Sequence, residues 1–497
     1  AFSPLRATGE KSTPTDTLTV AVLTEADTTD LTISKYGAAT RVVFGEIYDY
    51  LADSDWETGK SIPGIASWEV KEGGKVYEFK IQKGIKFISG DELTARDVEF
   101  SHNRLYESFA HYRDWLSDFD KVEVIDDYNI RFTFTSPNIL FRIAAITGLP
   151  IVSKSYHDRA GEKEFVSKPV GTGPYKFVDW QTGQYTDLEA NENYWGDEKA
   201  QVKKVRIVFA PEATTRVAML RAGEVDMIID TPWEQVPSLE KEGFKIWKRA
   251  GPPGLAFRIH CLNTDVPWYD KRVRQALAYG IDRKAIVNKL FSGIPNVYAW
   301  LGPTEVGYDP DLKPYPYDPN KAKALLAEAG YPDGFEMPIY YPTSGPLPGV
   351  RDVVEYITLA LKDINIKCDV TGLEIVKMSG NLRKWHDDPT AVVVPVHLCS
   401  PADNRDPIQS MQMTFGTTSP TSMYSNPEAD ALIQQAQRTV DDNQRGEIIK
   451  KFYRLLNEEL PVIPILANVS VYAMKPNVEY TPTTPFDDLR LPKVKIK

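Results

Sequence analysis

Cysteine is scarce in this sequence, with Cys261, Cys368 and Cys399 as the three thiols among 497 residues. Because three is an odd number, at least one thiol has no disulfide partner within the chain, and whether any two of them are bonded stays open. So few cysteines exclude a scaffold held together by disulfides and a zinc site built from four cysteines.

Long apolar runs and a positive net charge are also missing. No stretch of 18 apolar residues occurs, so the sequence predicts no membrane-spanning helix. Lys and Arg number 58 against 69 Asp and Glu, which gives a formal net charge of -11. An acidic chain is poorly suited to nucleic acids or anionic membrane surfaces, so neither is expected as a partner. Residues 1–22 contain no apolar stretch of a signal peptide, which is compatible with an export signal that has been removed.

Several motifs of hydrolases and metal sites are absent as well, namely GxSxG, HExxH, paired CxxC and EF-hand loops. Two His–Cys pairs remain, His260 with Cys261 and His397 with Cys399. We interpret both as buried packing groups, and the sequence therefore predicts no enzyme, no catalytic residue, no metal site and no cofactor. Two alternatives stay open: a hydrolase that uses Cys399 and His397, and a metal site that needs tertiary contact between the two pairs.

A glycine-rich stretch, KPVGTGPYKF at Lys168–Phe177, invites comparison with phosphate-binding loops. Gly171 and Gly173 are too close together for a Walker loop, and Pro174 lacks the N–H that would face a phosphate. A dinucleotide-binding loop would lead into a helix, whereas the residues after Pro174 alternate as in a strand. We therefore predict a tight chain reversal in which the two glycines supply positive φ angles.

The periodicity of the apolar residues predicts an α/β protein. Strands are expected at residues 18–25, 75–81, 129–135 and 251–264, and the Gly/Pro-rich start of the last one suggests a domain boundary. Helices are expected at residues 40–51, 270–290, 319–330 and 350–362. Thr94–Asp97 resembles a capping box at the start of a further helix, and Asp318 is the expected N-cap of the helix that begins at Pro319.

Seven stretches, in order along nearly the whole chain, resemble the extracellular solute-binding proteins of family 5, which serve ABC importers. They are Ile62–Arg104, Val170–Phe177, Asn191–Asp197, Leu220–Asp226, Asp270–Ile286, Tyr317–Phe335 and Tyr424–Ile433. The second stretch contains the family's GTGPY segment. Each stretch alone is weak, but seven in the same order are specific.

The resemblance implies a two-lobed periplasmic-binding-protein fold of type II, with an additional α+β subdomain. The implied division is lobe I at residues 1–45, 170–264 and 476–497, the additional subdomain at 46–169, and lobe II at 265–475. A ligand would lie between the lobes, which would close over it by a hinge motion. Two crossovers would join the lobes, near residues 262–264 and 473–476.

The resemblance also implies where the ligand is held. Peptide-binding members of the family hold the α-amino group of the ligand with an Asp of lobe II, in a pattern that His397–Pro407 matches. Asp403 takes the place of that Asp, with Asn404 and Arg405 beside it and Asp406 as the anchor of the segment. A carboxylate that faces an ammonium group away from water forms a charge-assisted pair. Further ligand contacts are expected at Tyr36, Arg41, Cys261, His397, Cys399 and Tyr480.

Two departures from the family pattern bear on the ligand. Ser400 stands where the family usually has Trp, and the loop before residue 350 lacks the Arg with which dipeptide-specialised members hold the ligand carboxylate. A peptide-like, opine-like or amide- or amine-bearing ligand is therefore favoured over a simple dipeptide. An oligosaccharide- or metal-chelate-binding protein of the same fold is the alternative.

The resemblance further implies a location and a partner. It implies a non-catalytic, monomeric protein of the periplasm, whose macromolecular partner is the membrane permease of an ABC transporter. A lipid anchor stays open, since the start of the chain gives no information on it.

Overall fold

The computed structural model describes residues 17–34, 37–55, 60–116, 118–303, 305–343, 349–398, 406–481 and 489–497. In this part of the chain, helices and strands alternate along the sequence and form an α/β protein. The predicted fold class is therefore confirmed at the level of its elements.

The first third of the chain contributes one strand to the main sheet and then builds a smaller antiparallel sheet with its helices. Its elements are β1 (Thr17–Val22), α1 (Gly37–Phe44), β2 (Ala52–Ser54), β3 (Ser61–Pro63), β4 (Ala66–Lys71), β5 (Val76–Ile81), α2 (Ala95–Ser108), α3 (Ala110–Trp115), β6 (Phe119–Asp126), β7 (Asn129–Phe134) and α4 (Lys154–Ser167). The smaller sheet has the strand order β4-β5-β7-β6.

The middle of the chain returns to the main sheet. Its elements are β8 (Tyr175–Gln181), β9 (Tyr185–Ala190), β10 (Lys204–Phe209), α5 (Ala213–Ala222), β11 (Met227–Ile228), α6 (Val236–Lys241) and β12 (Lys245–Arg258).

The last part of the chain is rich in helices. Its elements are α7 (Lys271–Gly280), α8 (Arg283–Leu290), α9 (Pro319–Glu328), β13 (Phe335–Pro342), α10 (Val350–Lys362), β14 (Ile366–Leu373), α11 (Ile375–Asp387), β15 (Val396–Leu398), α12 (Ile408–Phe415), α13 (Pro427–Arg438), α14 (Asp442–Glu459), β16 (Val462–Met474), β17 (Val478–Glu479) and β18 (Lys495–Ile496).

The main sheet has eight strands in the order β15-β12-β16-β11-β1-β10-β9-β8. Strand β1 runs parallel to β10 and β11, whereas β12 and β16 are antiparallel along almost their full lengths. One end of the β12–β16 pair adjoins β11, and its other end adjoins β15. These two long strands therefore connect the β11 part of the main sheet to its β15 edge.

Buried apolar side chains form separate cores along this frame. The first core surrounds β1, β8, β9 and β10 and includes Tyr472 of β16. The second core lies between residues 51 and 151, under the smaller sheet. The third core is built mainly by α7 to α14 and includes Leu255 and Leu466 from the long strands. The first and third cores define two lobes, here lobe I and lobe II, and the second core belongs to an additional α+β unit.

Most of the predicted elements are confirmed, but the bounds of two predicted helices are wrong. The helix predicted at residues 40–51 is α1 (Gly37–Phe44), which is followed by one 3-10 turn at Gly45–Ile47. Helix α10 has the expected bounds, and the capping box exists, because the Thr94 amide donates to Asp97 Oδ2 at 2.8 Å. The expected helix at 270–290 is instead two helices. Asp282 breaks it by capping α8, where its Oδ1 accepts from the Ala285 amide at 2.9 Å, and the Arg283 guanidinium is buried in the break.

The GTGP stretch needs its two glycines for a different physical reason from the predicted one. Neither Gly171 nor Gly173 has a positive φ, so that prediction is wrong. A Cβ at Gly171 would lie 1.9 Å from the Ile47 carbonyl oxygen, and a Cβ at Gly173 would lie 2.5 Å from that of Glu46. The glycines are needed because two backbone segments pass in direct contact.

A carboxylate that the sequence did not single out completes this junction. Asp49 Oδ2 accepts from the Thr172 hydroxyl at 2.8 Å and from the Trp195 indole N–H at 2.7 Å. Burial raises the pKa of Asp49, while the hydrogen bonds from Trp195 and Thr172 oppose that rise. The GTGP and NYW stretches are therefore structural, and both converge on the start of the additional unit.

Candidate functional site

The crossing strands β12 and β16 change their pairing in the middle. Register shifts occur between Ala250 and Pro253, between Pro253 and Leu255, and between Leu255 and Ala256. Proline lacks the amide hydrogen that a regular ladder uses, so the pairing weakens there. Before this irregular stretch, Trp247 packs against the first core, and after it Leu255 is buried in the third core. Along β12, this stretch therefore separates the part that packs against the first core from the part that is buried in the third core.

Two loops of lobe I lie at the carboxyl ends of neighbouring parallel strands. Residues 23–34 follow β1, and residues 229–235 follow β11. Ligands of open α/β sheets bind beyond this edge of the strands. The two loops therefore form the candidate wall of lobe I.

Two aspartates fix the first of these loops. Asp27 Oδ1 accepts from the hydroxyls of Ser34 and Thr40, each at 2.7 Å. Asp30 Oδ1 accepts from the Thr32 amide at 2.9 Å and hydroxyl at 2.6 Å. These bonds give the loop a defined shape without a helix or strand.

Trp233 connects the second loop to lobe II. Its indole N–H donates to the Val469 carbonyl of β16 at 2.8 Å. Its ring meets that of Phe291 edge-on, with centroids 5.0 Å apart. Although Trp233 follows β11 in sequence, it is buried in the third core. No local sequence pattern predicts this contact, because it joins residues far apart in the chain.

The structure gives Arg41 and Tyr480 partners within the protein. The Arg41 guanidinium lies 4.4 Å from the centroid of the Tyr50 ring, a cation–π contact. Tyr480 is 6% exposed, and its hydroxyl accepts from the Arg490 amide at 3.1 Å. Tyr480 packs in the first core. Their roles in ligand binding stay predictions.

Cys261 and His260 face different partners, although they are neighbours in sequence. The Cys261 thiol donates to the Ile259 carbonyl at 3.4 Å, and its amide donates to the Met423 carbonyl at 2.8 Å. The buried His260 ring has Nε2 at 2.8 Å from the Trp385 carbonyl oxygen.

Burial disfavours the charged form of each group. It raises the pKa of the Cys261 thiol, which favours the protonated form, and it lowers the pKa of His260. The charged forms that a thiolate–imidazolium pair requires are therefore disfavoured at these two residues. Among the described residues, no group of three or more His, Cys, Asp and Glu side chains could hold a metal ion.

The segment predicted to hold the ligand amine is described at its two ends. His397 lies in β15, where its backbone is opposite Ala256 of β12. After residues 399–405 the described chain resumes at Asp406, which is 4% exposed. Asp406 Oδ2 accepts from Nε and Nη2 of Arg445, at 3.1 and 2.9 Å. Five of the predicted ligand contacts lie outside the described residues: Tyr36, Cys399, Asp403, Asn404 and Arg405.

Described contacts fix the chain at both ends of this segment. The segment leaves a strand that is paired to the crossing strand β12, close to the irregular stretch, and it ends at a buried ion pair. Arg445 was not predicted from the sequence, because its partner Asp406 is 39 residues away.

Among the described helices, none has the length and apolar character needed to cross a bilayer.

Known proteins are similar in sequence to this chain along most of its length. Heme-binding protein A of Haemophilus influenzae is 29% identical over 489 residues, which cover 91% of this chain and 86% of that protein. The glutathione-binding protein GsiB of Escherichia coli is 27% identical over 421 residues, 83% of this chain and 81% of that protein.

A solved structure and a protein family are also similar to this chain. The periplasmic binding protein DppA of Helicobacter pylori, solved in complex with the peptide STSA, superimposes with a TM-score of 0.79 at 27% identity, over 97% of this chain and 98% of that one. Residues 51–419 match the family described as bacterial extracellular solute-binding proteins, family 5. The chain therefore belongs to the family 5 extracellular solute-binding proteins.

Proposed function

We propose that this protein, as the substrate-binding component of an ABC importer, captures a small peptide-like ligand that bears a free amino group. The observation that carries the proposal is the structure at the two ends of segment 399–405. The segment follows β15, which pairs with a crossing strand, and precedes Asp406, which is held by a buried arginine. Asp403 of this segment is the proposed partner of the ligand ammonium group.

The ligand class is supported by two of the similar proteins. One is named as a glutathione-binding protein, and the other was solved with the peptide STSA. Glutathione and a free tetrapeptide share an α-ammonium group, which a carboxylate recognises by a charge-assisted hydrogen bond. A third relative is named for heme, which has no ammonium group, so heme is the ligand that would speak against this proposal.

The proposed division of the chain keeps the predicted boundaries. Lobe I comprises residues 1–45, 170–264 and 476–497, the additional subdomain 46–169, and lobe II 265–475. The separation of the first, second and third cores supports a division into three units, with Leu255, Phe257 and Ile259 of the 170–264 segment packed in the third core. Phe165 of α4 is buried in the first core, so α4 connects the additional subdomain to lobe I.

The proposed setting is the periplasm, where a monomer delivers its ligand to the permease without changing it chemically. The family match supports a binding role, and the raised pKa of the buried Cys261 thiol is in keeping with a protein that has no reactive cysteine at this position.

A thermal-shift panel tests the ligand class. We expect glutathione or the peptide STSA to raise the Tm, because a ligand that binds only the folded protein stabilises it by mass action. N-acetylated STSA, which lacks the ammonium group, should give a much smaller shift. A shift with heme alone, or equal shifts with acetylated and free peptide, would contradict the proposal.

Asp403→Ala tests the anchor. Calorimetry with the peptide that shifts the Tm should show at least tenfold weaker binding, about 1.4 kcal/mol, because the ligand ammonium loses its counter-charge. Asp369→Ala, which removes an exposed carboxylate from β14, is the matched control and should leave affinity unchanged. Unchanged affinity in Asp403→Ala would exclude this residue as the anchor.

A further inference from the structure

The additional unit touches lobe II directly. Ile139 and Leu140, in the segment after β7, are buried in the third core together with the helices of lobe II. The turn between β4 and β5 also lies against lobe II, because a Cβ at Gly74 would be 2.8 Å from Val440 Cγ2. The additional unit and lobe II therefore share a packed interface.

A chain of charged groups crosses this interface. Arg142, which follows Leu140 in the additional unit, donates from Nη2 to Oδ1 of Asp442 at the start of α14. The same oxygen accepts from Nη2 of Arg445 at 2.8 Å. Arg445 also donates to Asp406, as described above. The order is thus Arg142, Asp442, Arg445, Asp406.

Arg445 is at the centre of this chain and is almost fully buried. Its side chain is 2% exposed, and that of Asp406 is 5% exposed. Its Nη1 donates to the carbonyls of Thr439 at 3.3 Å and Val440 at 3.4 Å. A buried guanidinium is tolerated only when its donors and its charge are satisfied, so Arg445 fixes the position of both carboxylates.

The outer pair of the chain is more exposed. The side chains of Arg142 and Asp442 are 20% and 32% exposed. Partial burial would raise the pKa of Asp442, but Arg142 and Arg445 outweigh it and hold that pKa below its usual range, so Asp442 is charged near neutral pH. A partly exposed ion pair is modest in energy and weakens with salt, which suits a contact that forms and breaks.

We propose that Arg142 and Asp442 form an electrostatic latch of the closed protein, and that Arg445 is the positioning residue that links the latch to the ligand segment. The latch joins the additional unit to lobe II and favours the closed arrangement even without ligand. Through Asp406, the same arginine holds the residue at which the ligand segment ends, three positions after Asp403. The second part of this inference rests on the proposed function, and the first part does not.

Small-angle X-ray scattering of the ligand-free protein tests the latch. Arg142→Gln should increase the radius of gyration at low salt, because closure loses one of its contacts. Wild type should expand between 50 mM and 1 M NaCl, and the variant should lose most of that response. Arg142→Lys, which keeps the charge, should restore part of the compactness.

The matched control is Arg131→Gln. Arg131 lies in the same additional unit and pairs with Glu78 at 2.7 Å, away from the latch. This variant should scatter like wild type at both salt concentrations. Equal radii of gyration for Arg142→Gln and wild type at both salts would overturn the latch.

Hydrogen exchange followed by mass spectrometry tests the link through Arg445. In ligand-free protein, Arg445→Gln should increase exchange in residues 406–415 strongly, and Arg142→Gln should increase it less, while Arg445→Lys should lie between wild type and Arg445→Gln. If Arg142→Gln expands the protein but leaves exchange in 406–415 unchanged, the latch stands and the link is wrong. Because these measurements use no ligand, their outcome is independent of the peptide-binding experiments.

Discussion

At the scale of single residues, the glycines of the GTGP stretch are required by the space available to them rather than by their backbone angles. Gly171 belongs to a glycine-rich stretch that lacks the spacing of a phosphate loop, and it lies against the Ile47 carbonyl with no room for a side chain. The residue type is therefore explained by the approach of another backbone segment. No local pattern around Gly171 contains that information.

Gly171→Ala should lower the free energy of unfolding by about 3 kcal/mol, because the added Cβ would lie 1.9 Å from the Ile47 carbonyl oxygen. Urea unfolding followed by circular dichroism measures the change. Gly380→Ala is the control: Gly380 lies within α11 with nothing within 4 Å of its added Cβ, and alanine should stabilise the helix by about 0.5–1 kcal/mol. A tolerated alanine at 171 would show that the two backbone segments separate in solution.

At the scale of elements, helix α2 buries a histidine against the smaller sheet. His102 is 1% exposed and is surrounded by aromatic rings, with those of Phe119 and Phe132 each 5.1 Å from its own. Its Nδ1 is 3.0 Å from the Tyr112 hydroxyl. Burial lowers the pKa of His102 from 6.5 to about 4, so the folded protein favours the neutral ring.

This burial predicts an acid-dependent loss of stability. The neutral His102 ring contributes to the free energy of unfolding. This contribution is fully present above pH 6.5, the pKa of the histidine in the unfolded chain, and is lost as the pH falls toward 4, by at most about 3 kcal/mol. His102→Phe should remove this part of the pH dependence, and His102→Gln should remove it while keeping a polar partner for Tyr112. Urea unfolding at pH 7, 5.5 and 4.5 measures the slope of the free energy of unfolding against pH for wild type and each variant. Parallel slopes in wild type and both variants would contradict the burial of a neutral ring.

Local sequence signals predicted the bounds of an element correctly where residues close to that element determine where it begins and ends. Helix α10 and the capping box at Thr94 follow from side chains within one or two turns of each other. The prediction of a single helix at 270–290 was wrong. Asp282 ends the first helix by serving as the N-cap of α8, and the side chain of Arg283 is buried at the break. A buried arginine finds its partners through tertiary contacts, which periodicity does not show.

At the scale of the whole molecule, the two lobes are coupled by a contact as well as by the crossing strands. Trp233 bonds to β16 and meets Phe291 at the end of α8. The aromatic pair therefore reports whether lobe I and lobe II touch in solution.

A double-mutant cycle of Trp233→Leu and Phe291→Leu should give a coupling energy of about 0.5–1.5 kcal/mol, as edge-to-face aromatic pairs do. The measurement is the free energy of unfolding of wild type, the two single variants and the double variant. Trp233→Leu combined with Phe79→Leu, which changes the second core, should be additive within about 0.5 kcal/mol. A coupling near zero would show that this contact between the lobes is open in solution.

The amino-acid sequence by itself determined the α/β class, the bounds of helices such as α9 and α10 and, through motifs spread over the chain, the family. Those features depend on local periodicity, on capping and on the order of short stretches, all of which are written along the chain. The sequence also predicts, through the family resemblance, that the ligand is held at segment 397–407, and this stays a prediction. Only the tertiary structure decided that Gly171 is a point of backbone contact, that Trp233 belongs to the other lobe, and that Arg142, Asp442, Arg445 and Asp406 form one chain of charges. Such contacts join residues as much as 300 positions apart, and their energy exists only when folding has brought the charges together and removed the water between them.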